Sequence, residues 1–385
     1  MNLSELDYHL PAENIAQRPL AERDASRMLL LDRATGEWQD RHFRELPDLL
    51  RGDELVVVNN ARVLPARLFG RRAGLHAQPI GANNPARHEF LTAEIEALLV
   101  RQLSADKWEA LVRPGRKVAI GEKIIFGNGE LEAQVESRGE FGLRVLKFTT
   151  NGRFQDAVEK LGHIPLPPYI KRPDEPDDRE RYQTVYARTG AAVAAPTAGL
   201  HFTPQILERL RAKGIEISEI TLDVGLGTFE PVRTERLEDH KIHQETYEIS
   251  KDAADAVVRA KSARRPVLAV GTTVVRALED SAEKSEAEGT AIARLTEITP
   301  GGYPAFMRRL VNPGREEAEI FLYPGRSFRV VDQLLTNFHL PQSSLLALVA
   351  AFAGREHVLR AYNHGVETGY RFYSYGDCML IRKPL

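Results

Sequence analysis

The stretch SKDAADAVVRAKSARRPVLAVGTTVVRALE, Ser250–Glu279, decides the fold class. Ser250–Arg264 reads as a helix and Val267–Val270 as a short apolar strand. Gly271, Thr272 and Thr273 then turn the chain straight into a second helix. Strand and helix in alternation imply an α/β domain. Working outward toward the N-terminus, Thr203 and Pro204 form a helix start. Ile206, Leu207 and Leu210 follow at helical spacing until Gly214 stops them, and strand Ile215–Val224 comes next. Met28–Asp32 and Glu54–Val58 are short apolar runs bounded by charges or turn residues, hence strands.

Between these portions the texture changes. From Arg67 to Phe148 strand follows strand with glycine turns, and the Asn-Gly pair within Phe126–Gly129 suits a tight hairpin. Leu131, Ala133 and Val135 alternate with polar residues, and Phe141, Leu143 and Val145 do the same, as half-buried strands require. This block predicts a small all-β barrel inserted into the α/β fold. The expected division is a mixed α/β main domain over 1–62 and 152–385, with the barrel at 63–151. Pro165–Arg181 is a proline- and charge-rich loop near the hinge; Gly74–His88 and Ala282–Glu319 read as surface excursions.

Composition narrows the function. The 385 residues carry 43% hydrophobic and 28% charged side chains, ordinary for a folded soluble protein. A net charge of −2 argues against a nucleic-acid coat protein, although arginines cluster at Arg62, Arg67, Arg71 and Arg72 and again at Arg113 and Arg116. The single Cys378 excludes an internal disulfide and a multi-thiolate zinc site, and suits a reducing, cytoplasmic setting. The N-terminal residues lack a secretory pattern, and the apolar run Leu345–Ala353 falls far short of the ~20 residues that span a bilayer. Nothing in the composition demands an oligomer or a protein partner.

Five segments have the small, polar composition of functional loops. AAPTAGLHFTP, Ala194–Pro204, places His201 just before a helix, where an imidazole serves as acid or base; a tight turn with a hydrogen-bonded histidine is the plainer reading. DVGLGTFEPV, Asp223–Val232, offers backbone N–H groups at Gly225 and Gly227, but lacks the third glycine of a dinucleotide fingerprint. EDHKIHQETYEI, Glu238–Ile249, brings His240, His243 and Glu245 together, a set too small and too common to name a metal. VLAVGTTVVRALE, Val267–Glu279, aims helix N–H groups and the hydroxyls of Thr272 and Thr273 at one spot, without a Walker lysine; Thr272 also suits a plain helix cap. LLTNFHLPQSSLLALVAAFAG, Leu334–Gly354, sets Asn337 and His339 on a loop before an apolar helix capped by Ser343.

These stretches, with VVNNARVLPARLFGR (Val57–Arg71), HIPLPPYIKRPDEPDDRERYQTVYA (His163–Ala187) and RFYSYGDCMLI (Arg371–Ile381), run in one order along nearly the whole chain. In that order they resemble the S-adenosylmethionine:tRNA ribosyltransferase-isomerase family of queuosine biosynthesis. The resemblance implies an α/β domain with an inserted β-barrel. It also implies a reaction that moves the ribosyl group of S-adenosylmethionine onto the 7-aminomethyl-7-deazaguanine base at the tRNA wobble position. The ribose is rearranged to an epoxycyclopentanediol, adenine and methionine leave, and epoxyqueuosine-tRNA results. The donor is a consumed substrate, and neither cofactor nor metal is required. On this expectation His201, His240, His243 and Glu245 supply acid-base groups. Gly225, Gly227, Thr272 and Thr273 line the donor pocket with Asn337 and His339, and Arg62 and Arg67 meet phosphate. The chain departs from the family pattern at Asp223, where a histidine often stands, and at Ala61, where a threonine is usual. Two other classes compete. An S-adenosylmethionine-dependent RNA methyltransferase would release S-adenosylhomocysteine, and a non-catalytic RNA-binding module would bind tRNA without consuming the donor.

Overall fold

The computed structural model describes residues 1–73, 94–139, 142–223, 234–240, 242, 244–292 and 310–383. In chain order the strands are β1 (Arg27–Asp32), β2 (Trp38–His42), β3 (Leu55–Asn59), β4 (Ala61–Val63), β5 (Arg67–Arg72), β6 (Glu94–Gln102), β7 (Lys107–Arg113), β8 (Lys123–Phe126) and β9 (Leu131–Arg138). They continue as β10 (Leu143–Thr150), β11 (Thr189–Ala192), β12 (Glu216–Asp223), β13 (Glu245–Ile249), β14 (Val267–Val270), β15 (Gly314–Ala318), β16 (Gln333–Asn337) and β17 (Cys378–Arg382). The helices are α1 (Leu46–Leu49), α2 (Phe154–Leu161), α3 (Asp178–Arg181), α4 (Pro204–Ala212), α5 (Lys251–Ser262), α6 (Thr272–Ile292), α7 (Ser344–Ala353) and α8 (Arg355–Glu367).

Nine strands form one mixed sheet in the order β15-β13-β12-β3-β14-β16-β17-β1-β2. Its centre, β12-β3-β14-β16, is parallel, and β13 and β17 turn antiparallel on either side. Alternation along the central strands explains the two covered faces. Leu55 and Val57 pack with Val267 and Ala269 against α5, α6, α7 and α8. Val56 and Val58 pack with Leu268 and Val270 against α1 and α4. Both sets are fully buried, so the strands read as continuous apolar runs, as parallel strands do. Each such side chain contributes roughly 1.5–3 kcal/mol of burial. Side-chain caps fix the helix starts: Thr203 Oγ1 accepts from Ile206 N, Ser250 Oγ from Ala253 N, and Ser343 Oγ from Leu346 N.

The inserted block closes as a six-stranded antiparallel barrel, β10-β7-β6-β5-β8-β9. The expected hairpin joins β8 to β9, with Gly127 at φ 58° and Gly129 at φ 91°. Leu131, Ala133 and Val135 point inward as expected. In β10 the phase differs. Leu143 and Val145 are half-buried, whereas Leu146 and Phe148 fill the barrel. The pairing with β9 shifts register between Val145 and Leu146 through an extra β9 residue, Glu136, while β10 itself alternates without a break, with Arg144, Leu146 and Phe148 all buried. Phe141 and the excursion at 74–88 lie outside the described residues.

The second excursion is shorter than expected. Its first part, from Ala282, continues α6 as far as Ile292, and its last part is the sheet-edge strand β15, paired with β13. The interior of the helix and the ladder absorb both ends; 293–309 are outside the described residues. Among the described residues, no helix is long and apolar enough to cross a membrane.

Candidate active site

Parallel strands deliver their carboxyl ends to one edge of a sheet, where loops are free to meet a ligand. Here that edge gathers Asn59 from β3, Asp223 from β12, Val270 from β14 and Asn337 from β16. Because β13, β17 and β1 run the other way, their first residues, Glu245, Cys378 and Arg27, arrive at the same edge. The described strand ends that border the segments singled out in the sequence therefore share one edge.

Beneath them lies a buried polar network. His201 is 3% exposed, in the turn Thr197–His201. Its Nδ1 is 2.9 Å from Ser26 Oγ and its Nε2 is 3.2 Å from Asn337 Oδ1. Asn337 Nδ2 donates to the Tyr373 carbonyl at 2.8 Å, so Oδ1 faces the imidazole and Nε2 carries its proton. Burial pushes the His201 pKa down to about 4, only partly opposed by the bond to Asn337. Both nitrogens of His201 are thus engaged, with Ser26 and Asn337, and burial favours its neutral form. His339 is buried too, its Nε2 2.8 Å from Thr336 Oγ1, and burial pushes its pKa down to about 3.

Thr272 and Thr273, both buried, open α6 directly after Gly271, whose φ of 97° requires glycine. A Cβ on Gly199 would lie 2.1 Å from the Tyr186 hydroxyl, so the turn bearing His201 must approach backbone-first. One helical turn beyond Thr272, Arg276 donates from Nη1 to Glu245 Oε2 at 2.6 Å, and both residues are buried. Sequence reasoning missed Arg276, although it follows Thr272 by four positions and so shares its helix face. His240 is half-buried with its ring against Phe321. Gly225, Gly227 and His243 lie outside the described residues.

A cleft of about 1890 Å³ opens at this edge, between barrel strands β6 and β7 and the ends of β12, β13 and β15. At its base Asn60 Oδ1 accepts from Thr221 Oγ1 at 2.7 Å and from Thr189 Oγ1 at 3.2 Å, while Asn60 Nδ2 donates to Glu219. Seven carboxylates line the cleft against four Arg or Lys side chains, which favours a cationic ligand over a phosphodiester. None of the described candidates lines it. Arg62 is exposed and paired with Glu159, which does. Arg67 is tied to the Leu166 carbonyl at 3.1 Å and to Glu96 at 3.2 Å, so its guanidinium is already engaged. The cleft residues Asn60 and Thr221 were passed over because strand-end polar groups carry no sequence periodicity of their own. Among the described residues, no cluster of histidine, cysteine and carboxylate side chains is arranged to hold a metal.

An α/β sheet with an inserted barrel and a ligand-sized cleft at its carboxyl edge defines a substrate-binding enzyme architecture, and comparison with known proteins makes it particular. Residues 3–381 match the family described as "Queuosine biosynthesis protein". The S-adenosylmethionine:tRNA ribosyltransferase-isomerase of Solibacter usitatus is 52% identical over 383 residues, covering 99% of this chain and 100% of that protein. That of Moorella thermoacetica is 46% identical over 382 residues, with the same coverage. A crystal structure of an S-adenosylmethionine tRNA ribosyltransferase from Thermotoga maritima, 34% identical, aligns over 98% of this chain and 100% of that one with a TM-score of 0.49. The chain belongs to the S-adenosylmethionine:tRNA ribosyltransferase-isomerase family of queuosine biosynthesis and is an enzyme of that class.

Proposed function

We propose that the cleft between the barrel and the sheet edge is where S-adenosylmethionine is consumed. There its ribosyl group passes to the aminomethyl nitrogen of a 7-aminomethyl-7-deazaguanine base at the tRNA wobble position. Adenine and methionine leave, and epoxyqueuosine-tRNA is the product. The observation that carries this reading is the lining of the cleft: a carboxylate excess beside the Asn60–Thr189–Thr221 cluster, at the carboxyl ends of parallel strands. A sulfonium and an alkylammonium are both cations, and both are drawn into such a site. A phosphodiester is repelled, so the RNA backbone stays on the rim and only the unstacked base enters. Arg62, exposed beside Glu159, is the phosphate contact retained in this scheme.

The sulfonium acidifies the neighbouring C5′ protons, so a modest base starts the reaction. We assign that chemistry to the Glu238–Ile249 segment, which meets the cleft at Gln244, Thr246, Tyr247 and Glu248, with His240 and His243 as its candidates; Glu245, buried against Arg276, anchors the segment. Thr272, Thr273, Asn337 and His339 serve from behind, holding the loops that meet the donor. Mass spectrometry of precursor tRNA incubated with protein and donor tests the reading. Epoxyqueuosine with stoichiometric adenine and methionine supports it. S-adenosylhomocysteine with methylated tRNA, or an unconsumed donor, contradicts it.

A further inference from the structure

A net charge of −2 hides an uneven distribution on the barrel. Along its side the cations are matched: Arg101 pairs with Glu109, Lys107 with Glu136 and Lys123 with Glu132. At one end they are not. Arg113 closes β7, Arg116 sits in the following turn Gly115–Lys117, and Arg138 closes β9. All three are exposed, and none meets a carboxylate among the described residues. Arg144, 7% exposed, braces them from beneath. Its Nη2 donates to the Gly115 carbonyl at 3.0 Å, which pins the turn carrying Arg116, and it stands directly opposite Arg138 in the β9–β10 ladder. Like charges placed opposite each other repel. Burial, with the charge of Arg138 added to it, pushes the Arg144 guanidinium below its ordinary value. A cluster of this kind calls for an anion from outside the chain. This end of the barrel lies away from Arg67 and Thr150, where the barrel joins the main domain. It reaches the cleft, whose lining takes in Arg113, Gly142 and Leu143.

We propose that Arg113, Arg116 and Arg138 form a docking surface for the phosphate backbone of the substrate tRNA. This inference rests on the reading of the cleft given above, because it takes the phosphates flanking the entering base to lie on the rim. Guanidinium groups suit that partner, since their fixed forks of N–H donors bind phosphate oxygens in pairs. The carboxylates within the cleft repel the backbone, and the arginines at its outer end attract it. The barrel then holds the RNA while the sheet edge holds the donor. Contacts of this type set position rather than read sequence.

Binding of precursor tRNA, followed by fluorescence anisotropy across a salt series, tests the surface in the wild type and three variants. The first variant carries Arg113→Gln, Arg116→Gln and Arg138→Gln. The second places lysine at the same three positions. The third removes three exposed cations that are paired elsewhere, Arg18→Gln, Arg209→Gln and Lys251→Gln, for the same change in net charge. The glutamine variant should bind tRNA roughly tenfold or more weakly at physiological salt, with a log–log salt slope shallower by about two to three. The lysine variant should keep the wild-type slope, and the paired-cation control should keep both affinity and slope. Unchanged binding by the glutamine variant would overturn the surface, as would an equal loss in either of the other two. Adenine release by the wild type, measured alongside, separates this inference from the cleft reading. Release with unchanged tRNA binding in the glutamine variant sinks the surface alone. Weakened binding in that variant with no release by the wild type supports the surface and sinks the cleft reading. No tRNA binding by the wild type would overturn both.

Discussion

His201 and Asn337 meet with Nε2 and Oδ1 3.2 Å apart, a contact that ties the turn before α4 to the end of β16. The imidazole is neutral there, and so is that of His339. Their pKa values fall from the usual 6.5 to about 4 and about 3 respectively, chiefly through burial. The unfolded chain therefore binds more protons than the folded chain between those values and 6.5. Stability present above pH 6.5 is lost as pH falls through that window, on the order of 2 kcal/mol per histidine at pH 5. Urea melts at pH 7.5 and pH 5 measure the loss. His201→Gln should be less stable at pH 7.5 but show a smaller difference between the two pH values. An equal difference would mean that His201 is not buried neutral.

Gly199 and Tyr186 form a steric pair. A Cβ at Gly199 would meet the Tyr186 hydroxyl at 2.1 Å and Thr184 Cγ2 at 2.8 Å. Gly199→Ala should destabilise the protein by about 2 kcal/mol or more, through overpacking. The Tyr186 hydroxyl is itself buried without a hydrogen-bond partner among the described residues. Tyr186→Phe alone should accordingly be neutral or stabilising by about 1 kcal/mol. Combined with Gly199→Ala it should restore part of the loss. Denaturation midpoints of the three proteins decide this, and an absence of rescue would place the strain elsewhere.

The buried pair Glu245–Arg276 links β13 to α6. Removing one partner leaves a buried charge, so Arg276→Met should cost about 3–5 kcal/mol. Glu245→Leu together with Arg276→Met should cost distinctly less than the sum of the single changes. A double-mutant cycle in guanidinium chloride gives the coupling; additive losses would show that the pair is not a unit.

Thr221→Val removes the hydroxyl that donates to Asn60 Oδ1 at 2.7 Å, on the floor of the cleft. With Asn60 then held only by Thr189 and Glu219, the KM for S-adenosylmethionine should rise about fivefold, the worth of one hydrogen bond near 1 kcal/mol, while the melting temperature changes little. Steady-state adenine release provides both constants. An unchanged KM would remove this cluster from the donor site.

Much of this architecture was legible in the chain itself. Val267–Val270 followed by Gly271 reads as strand and turn because apolar continuity and a glycine punctuate it, and the structure reproduces those bounds. The caps at Thr203 and Ser343 were visible because a hydroxyl before a helix has a local job. Phase in β10 was not, since alternation alone does not say which side of the strand meets the barrel interior, and Arg144 shares the buried side with Leu146 and Phe148. Site residues divided along the same line. His201 and Asn337 stood out by composition, yet composition does not reveal that they bond each other. Asn60, Thr189 and Thr221 come from three separate strands or loops, and only the parallel order β12-β3 brings them within hydrogen-bond reach.

The most direct test of the cleft as the donor site is a crystal structure of the protein soaked with S-adenosylmethionine. Density for the donor between the barrel and the sheet edge, with its sulfonium near the cleft carboxylates and its nucleoside beside Asn60 and Thr221, is the expected result. Density for the donor elsewhere, with the cleft filled by solvent alone, would contradict it.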